Sequence, residues 1–197
     1  MGDNGLRAPT ADPLGRKKPP LASIVVISGS PSPTSRTLLL SRHVGERLTA
    51  AGFTVDLLNV RDLPTEDLIA GNTEAPAIRA AVGLLEAAQG VVIATPIYKA
   101  AYSGVLKTFL DLLPQFGLTG KVVLPIATGG SIAHVLAIDY ALRPVLASLG
   151  ARHVCNGYFF LDKQLTKVEP EGINVDSLAE EKFRPLFDDF IASVRAR

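Results

Sequence analysis

The chain has 197 residues, 47% of them hydrophobic and 20% charged, with a formal net charge of +1, a composition that supports a globular domain with a sizeable core. No run of either sign favours nucleic-acid binding or a strongly acidic docking face. One cysteine, Cys155, excludes an internal disulfide and a cysteine-cluster metal site. It suits a reducing, cytoplasmic setting. The histidines His43, His134 and His153 lack H-x-x-x-H spacing, so no metal site is expected. No apolar run reaches the ~20 residues of a membrane span.

Residues 1–20 contain Pro9, Pro13, Pro19 and Pro20 beside Arg16-Lys17-Lys18 and no hydrophobic signal core, and they read as a disordered tail. Residues 21–197 then read as one domain. Its first strand runs from about Ala22 to Ser28, and the first helix from about Ser35 to Ala51. Leu38, Leu39, Val44 and Leu48 stand at core spacing in that helix, and Gly52 stops it. The second strand is Phe53 to Leu58, followed by an irregular stretch from Asn59 to Glu74. The second helix spans about Ala75 to Ala88 and the third strand Val91 to Ala94. Pro96 predicts that residues from Thr95 to Tyr102 leave the ladder as a loop.

Ser103 is the expected cap of a third helix ending near Pro114. The fourth strand runs from Lys121 to Ala127, and Thr128-Gly129-Gly130-Ser131 turns into a fourth helix reaching Leu149, with Gly150 at its end. The fifth strand runs from Arg152 to Phe160. Asp162 to Asp176 is polar and ambiguous, and Ser177 to Ala196 reads as an amphipathic helix. Strands that are apolar throughout, alternating with helices, predict an α/β fold: a doubly wound, five-stranded parallel sheet with helices on both faces. Ligands of such sheets bind beyond the carboxyl ends of the strands, so the loops after strands one, three and four should share a rim.

The first loop, Ser28-Gly29-Ser30-Pro31-Ser32-Pro33-Thr34-Ser35-Arg36-Thr37, has one glycine and matches neither the dinucleotide nor the Walker pattern. Hydroxyls of Ser28, Ser30, Ser32, Thr34, Ser35 and Thr37, with free amides at a helix start, suit a terminal monophosphate. A capped Pro/Ser loop with no ligand is the alternative. In the second loop Pro96, Ile97 and Tyr98 offer an apolar surface and a ring beside unpaired backbone groups. In the third, Gly129 and Gly130 allow a close backbone approach, or make a plain tight turn. Together the loops describe a mononucleotide with a planar ring, and FMN suits them better than AMP.

These residues carry a resemblance. The chain from about Ile24 to Phe160 resembles the flavodoxin-like NAD(P)H-dependent FMN reductases. Within them it is most similar to the SsuE/MsuE type, which supplies reduced flavin to sulfonate monooxygenases. The matching blocks are Gly29-Ser30-Pro31-Ser32 with Ser35-Arg36-Thr37, Thr95 to Ala100, Lys107 to Pro114, and Gly120 through Gly130 into Ala133 to Leu146. Loop reading and resemblance together make Ser30, Ser32, Ser35, Arg36, Thr37, Pro96, Ile97, Tyr98, Lys99, Thr128, Gly129, Gly130 and Ser131 the candidate cofactor-binding residues. Arg36 suits the phosphate of FMN, the extra phosphate of NADPH, or solvent alone.

The resemblance implies FMN and NADPH as cofactors, with NADH possible, and a flavin-dependent monooxygenase of sulfonate or organosulfur metabolism as partner. It also implies a homo-oligomer, a dimer or a tetramer built as a dimer of dimers. Pro144 leaves the carbonyl of Tyr140 without its helical donor, which a π-bulge would accommodate. The resemblance places Tyr140 at a subunit contact governing flavin release; a Pro-kinked helix with Tyr140 packed inside is the alternative. Apolar Val105, Leu106, Phe109, Leu112 and Leu113 exceed one stripe, as if buried against a second subunit as well. Hydride transfer between cofactors needs no protein acid or base, so no catalytic side chain is expected. Rival readings are a quinone or azo reductase with bound FMN, a non-enzymatic electron carrier, and a hydrolase using Ser131, His134 and Asp139, which lacks G-x-S-x-G.

Overall fold

The computed structural model describes residues 22–197, so the expected tail over 1–20 lies outside the described residues. Strands β1 (Ser23–Ser28), β2 (Thr54–Asn59), β3 (Gly90–Tyr98) and β5 (Val122–Gly129) form a parallel sheet in the order β2-β1-β3-β5. Beyond β5 lie β6 (His153–Val154) and β7 (Tyr158–Leu161). The inner strands β1, β3 and β5 are largely apolar because both of their faces are covered, whereas β2 at the edge carries Asp56 and exposed positions. Val25, Ile27, Val91 and Ile93 face α3 (Pro76–Ala87), α4 (Gly104–Leu110) and α5 (Arg143–Ser148). Ile24, Val26, Val92 and Leu124 face α1 (Arg36–Ala50) and α6 (Ser177–Arg195). The chain leaves β1 towards β2 on one side and towards β3 on the other, so the switch point opens beside the end of β1.

Local sequence accounts for most boundaries. Ser35 caps α1 by accepting the Leu38 N–H at 3.0 Å, and Gly52 stops it with φ +90°. Leu40, not Leu39, takes the core position, because Leu40, Val44 and Leu48 repeat on one face while Leu39 is only half-buried. The irregular stretch contains a 3-10 turn, Val60–Asp62, and a short helix, α2 (Thr65–Ala70), ended by Gly71 in the left-handed region. The apolar band on and after α4 is taken up inside the chain. Leu106, Phe109, Leu112 and Leu113 are buried and Val105 packs against the same cluster, so this band gives no argument for a second subunit. Among the described residues, no helix is long and apolar enough to cross a membrane.

Two prolines govern how the strands end. The third strand does not stop before Pro96; it continues to Tyr98, turns, and pairs antiparallel with β4 (Ala101–Tyr102). The Gly29 N–H donates to Ala94 O at 2.8 Å, so Ala94 faces β1. Pro96, two residues on, faces the same side, where β1 has already ended, and no ladder donor is missed. Pro125 lies inside β5 and faces the outer edge, because the Cys155 N–H donates to Val123 O at 2.8 Å. There the predicted fifth strand breaks into β6 and β7, and its register slips by one residue, from Val123↔Val154 to Ile126↔Tyr158. The break is a bulge placed where β5 has no N–H to offer. The ambiguous segment folds as a 3-10 turn, Asp162–Gln164, and an antiparallel hairpin of β8 (Leu165–Val168) and β9 (Gly172–Val175).

Candidate functional site

The loops after β1, β3 and β5 meet around a cleft of about 400 Å³. It is lined by Ser30, Ser32, Thr34, Ser35, Arg36 and Thr37 from the first loop, Pro96, Ile97 and Tyr98 from the second, and Thr128, Gly129 and Gly130 from the third. Of the candidate cofactor-binding residues, Lys99 and Ser131 are not on this lining. Ser131 instead caps the following 3-10 turn through the Ala133 N–H at 3.2 Å. Ser28 is fully buried in β1 and also stands off the lining.

Internal bonds fix the first loop. Ser30 Oγ accepts the Ser32 N–H at 3.3 Å, and Ser35 Oγ accepts the Leu38 N–H. A serine hydroxyl that accepts a backbone amide keeps its own O–H to donate. The Arg36 and Thr37 amides precede the first internal bonds of α1 and point out of its N-terminus. Thr37 Oγ1 and Thr128 Oγ1 lie 2.7 Å apart in a buried pair that ties the first loop to the third. Ser103 Oγ donates to Gly29 O and accepts the Leu106 N–H at 3.1 Å, tying the same loop to α4. The lone glycine of the loop serves this packing, since a Cβ on Gly29 would stand 2.6 Å from Leu106 Cβ.

The second loop is a tight hairpin whose turn residues, Lys99 and Ala100, are both left-handed, with φ of 50° and 65°. That geometry matches the twist of the flanking strands but strains residues that carry a Cβ. Tyr98 is half exposed at the lip of the cleft. Behind it, burial pushes the Tyr102 phenol above its ordinary value, so it stays protonated. In the third loop a Cβ on Gly129 would stand 2.8 Å from Phe159 Cζ, whereas one on Gly130 would meet only Asp162 Oδ2, at 3.7 Å.

Asp162 and Lys167 complete the lining, and sequence reasoning missed both. The missed signal is the alternation of Leu165 to Val168 and Gly172 to Val175 on either side of Glu169-Pro170-Glu171, a hairpin pattern. Arg36 Nε donates to Leu165 O at 3.0 Å, and Lys167 Nζ donates to Thr34 O. The hairpin therefore lies against the first loop.

Tyr140 sits away from the lining, in a π-helical turn over Ile138–Leu142, and is 78% exposed. The Arg143 N–H bonds to Ile138 O, five residues back, and Pro144 enters the first turn of α5, where its missing N–H costs little. This geometry excludes a Tyr140 packed inside a kinked helix. No hydrolytic relay forms, because Asp139 is paired with Arg143 at 3.1 Å and no side-chain hydrogen bond joins Ser131, His134 and Asp139 among the described residues. Cys155 is buried in the break between β6 and β7, off the cleft lining, and burial raises its thiol to about 11.

Residues 22–166 match the family model described as NADPH-dependent FMN reductase. The chain belongs to this family. A relative named FMN reductase (NADPH) from Pseudomonas putida KT2440 is 47% identical over 146 residues, which cover 74% of each chain. The crystal structure of the apo form of the NADH:FMN oxidoreductase EmoB has a TM-score of 0.79 at 41% identity, covering 87% of this chain and 89% of that one. A flavodoxin from the domain Archaea shares the fold alone, with a TM-score of 0.59 at 14% identity over 89% and 99% of the two chains. The fold is thus flavodoxin-like, and this FMN reductase is an NAD(P)H-dependent oxidoreductase that uses FMN and NADPH. The cleft fits that flavin chemically: its lining combines hydroxyl, amide, guanidinium and ammonium donors with the apolar surface of Ile97 and Tyr98.

Proposed function

We propose that FMN binds in this cleft with its phosphate at the N-terminus of α1 and its ring along Ile97 and Tyr98, and that the reduced flavin then leaves to serve a partner monooxygenase. The observation that carries the binding mode is the joining of the Ser30–Thr37 loop, the Pro96–Tyr98 strand end and Gly129-Gly130 on one lining. When bound, the flavin supplies the redox chemistry by accepting hydride from the nicotinamide of NADPH. The chain's own residues bind and orient. Ser30, Ser32 and Ser35 donate O–H groups, Arg36 supplies charge, and Ile97 and Tyr98 offer apolar surface to the ring.

Release is supported by the half-exposed Tyr98 and by the absence of tryptophan from the sequence, which leaves no large aromatic plate to retain the ring. The reading extends to a flavin-dependent monooxygenase of sulfonate or organosulfur metabolism, a cytoplasmic setting, and residues 21–197 acting as one reductase domain. Tyr140 would lie at a contact in a dimer or tetramer. Its support is the exposed apolar run of Ile132, Leu136 and Tyr140 beside the third loop.

The test follows NADPH oxidation by purified protein with and without free FMN. Oxidation that scales with added FMN, together with a higher KM for FMN in Arg36→Gln, supports the reading. Turnover only with a quinone or an azo dye would overturn flavin supply, and an Arg36→Gln enzyme with unchanged KM would overturn the binding mode. Replacing NADPH with NADH measures the nicotinamide preference in the same assay.

A further inference from the structure

The β8–β9 hairpin and the first loop hold each other through two cations placed reciprocally. Arg36, at the start of α1, reaches across to Leu165 O on β8; Lys167, on β8, reaches back to Thr34 O in the loop. A third link, the Arg42–Glu171 ion pair, fastens the hairpin tip to α1. Each tether uses one donor only. A guanidinium bonded through Nε keeps both terminal nitrogens, and an ammonium bonded once keeps two of its three hydrogens. Both side chains line the cleft. Among the described residues neither has a carboxylate within ion-pair distance, although Arg42, Arg47, Arg61, Lys107 and Arg143 all do.

We propose that Lys167 is a specificity-determining residue of this reductase: with Arg36 it makes a two-cation clamp that selects a flavin carrying a terminal phosphate over one without it. The inference rests on the proposed placement of the flavin phosphate in this cleft. A phosphate monoester carries close to two negative charges at neutral pH, so one arginine leaves about one charge unmatched; Lys167 supplies the second cation, and the Asp162 carboxylate on the same lining, ion-paired with neither, adds to the need for it. Hydroxyls and helix amides hold phosphate oxygens without balancing that second charge. Lys167 lies just beyond the segment that matches the family model, which closes at residue 166. Arg36 lies inside that segment, so the clamp joins a residue of the matched segment to one of the hairpin beyond it.

The experiment compares Lys167→Gln and Lys167→Arg with wild type, using FMN and riboflavin as alternative flavins and NADPH and NADH as alternative donors. The expected result is a KM for FMN raised about ten-fold in Lys167→Gln, the scale of one lost charged hydrogen bond. The KM for riboflavin and kcat should not change, and Lys167→Arg should restore most of the preference. A distorted fold would weaken both flavins together and lower kcat, which overturns the proposal. A change confined to the NADPH-over-NADH ratio would assign Lys167 to the nicotinamide phosphate and also overturn it. Arg36→Gln separates the two levels of reasoning. If it raises the FMN KM while Lys167→Gln does not, only the clamp fails; if neither variant moves it, the placement of the phosphate fails as well.

Discussion

Gly129→Ala tests whether the third loop is shaped by the protein's own packing. Ala127 pairs with Phe159 and Gly129 with Leu161, so Gly129 and Phe159 are diagonal neighbours on one face of the sheet. An added Cβ would stand 2.8 Å from Phe159 Cζ and 3.6 Å from both Cε atoms. The ring has little room to retreat, being buried among Ile97, Ala127, Ala137 and Ile138. Forcing a methyl into such a site costs about 1–3 kcal/mol. In a domain of this size, a loss of about 2 kcal/mol lowers Tm by roughly 4–8 °C. Urea unfolding should show a lower midpoint at constant slope. Phe159→Leu removes Cζ, so Gly129→Ala should cost much less in that background. Gly130→Ala is the control: its Cβ meets only Asp162 Oδ2 at 3.7 Å, so stability should stay within about 0.5 kcal/mol of wild type. A Gly129→Ala protein that unfolds at the wild-type midpoint, or whose penalty is unchanged when Phe159→Leu is added, refutes the packing argument.

Thr37→Val should destabilise by about 1–3 kcal/mol in urea unfolding, because it strands the buried Thr128 hydroxyl now 2.7 Å from its partner. The Thr37→Val/Thr128→Val double variant should recover part of that loss. Ala100→Gly should raise stability in urea unfolding by roughly 0.5–1 kcal/mol, since it relieves a left-handed alanine at φ 65° at the cost of a freer unfolded chain. His43 is held below its ordinary 6.5 by burial and then by Arg47, so the unfolded chain binds the extra proton first. Stability should fall as pH drops below about 6.5, and His43→Gln should flatten that slope. The Cys155 thiol, ordinarily near 9 and raised to about 11, should resist a thiol reagent at pH 8 in the folded protein and react in urea. Its contribution to stability is complete below about 9 and is lost as pH rises towards 11.

The parts of the fold legible in the sequence are those set by local patterning. The β-branched run before Ser28, the cap at Ser35, the stop at Gly52 and the Ser103 cap each follow from chemistry within a few residues. The errors arise where a neighbour decides the outcome. Pro96 forbids a ladder bond only if a strand lies on its N–H side, and whether β1 reaches that far is not written near Pro96. Pro125 carries no local signal of a break, yet it fixes where the outer strand divides. The glycines separate in the same way. Gly52 is needed for its own φ, whereas Gly29 and Gly129 are needed because Leu106 and Phe159, remote in sequence, press against them. The second cation of the cleft, Lys167, comes from a hairpin whose place over the first loop depends on bonds between elements more than a hundred residues apart.

Those long-range bonds also explain how a site made of loops can be selective. Thr37 with Thr128 joins the first loop to the third, Ser103 joins the first to α4, and the Ser103 N–H on Thr95 Oγ1 at 3.0 Å joins α4 to the second. The hairpin closes the circuit through Arg36 and Lys167. Of the side chains that hold the loops together, Arg36, Thr37, Thr128 and Lys167 line the cleft, and the two cations keep N–H donors for a ligand. The ordering cost is met by the fold, so a ligand entering the cleft does not have to supply it. Under the proposed placement of the flavin phosphate, charge matching selects the flavin that enters, and the exposed lip at Tyr98 leaves the reduced ring free to depart.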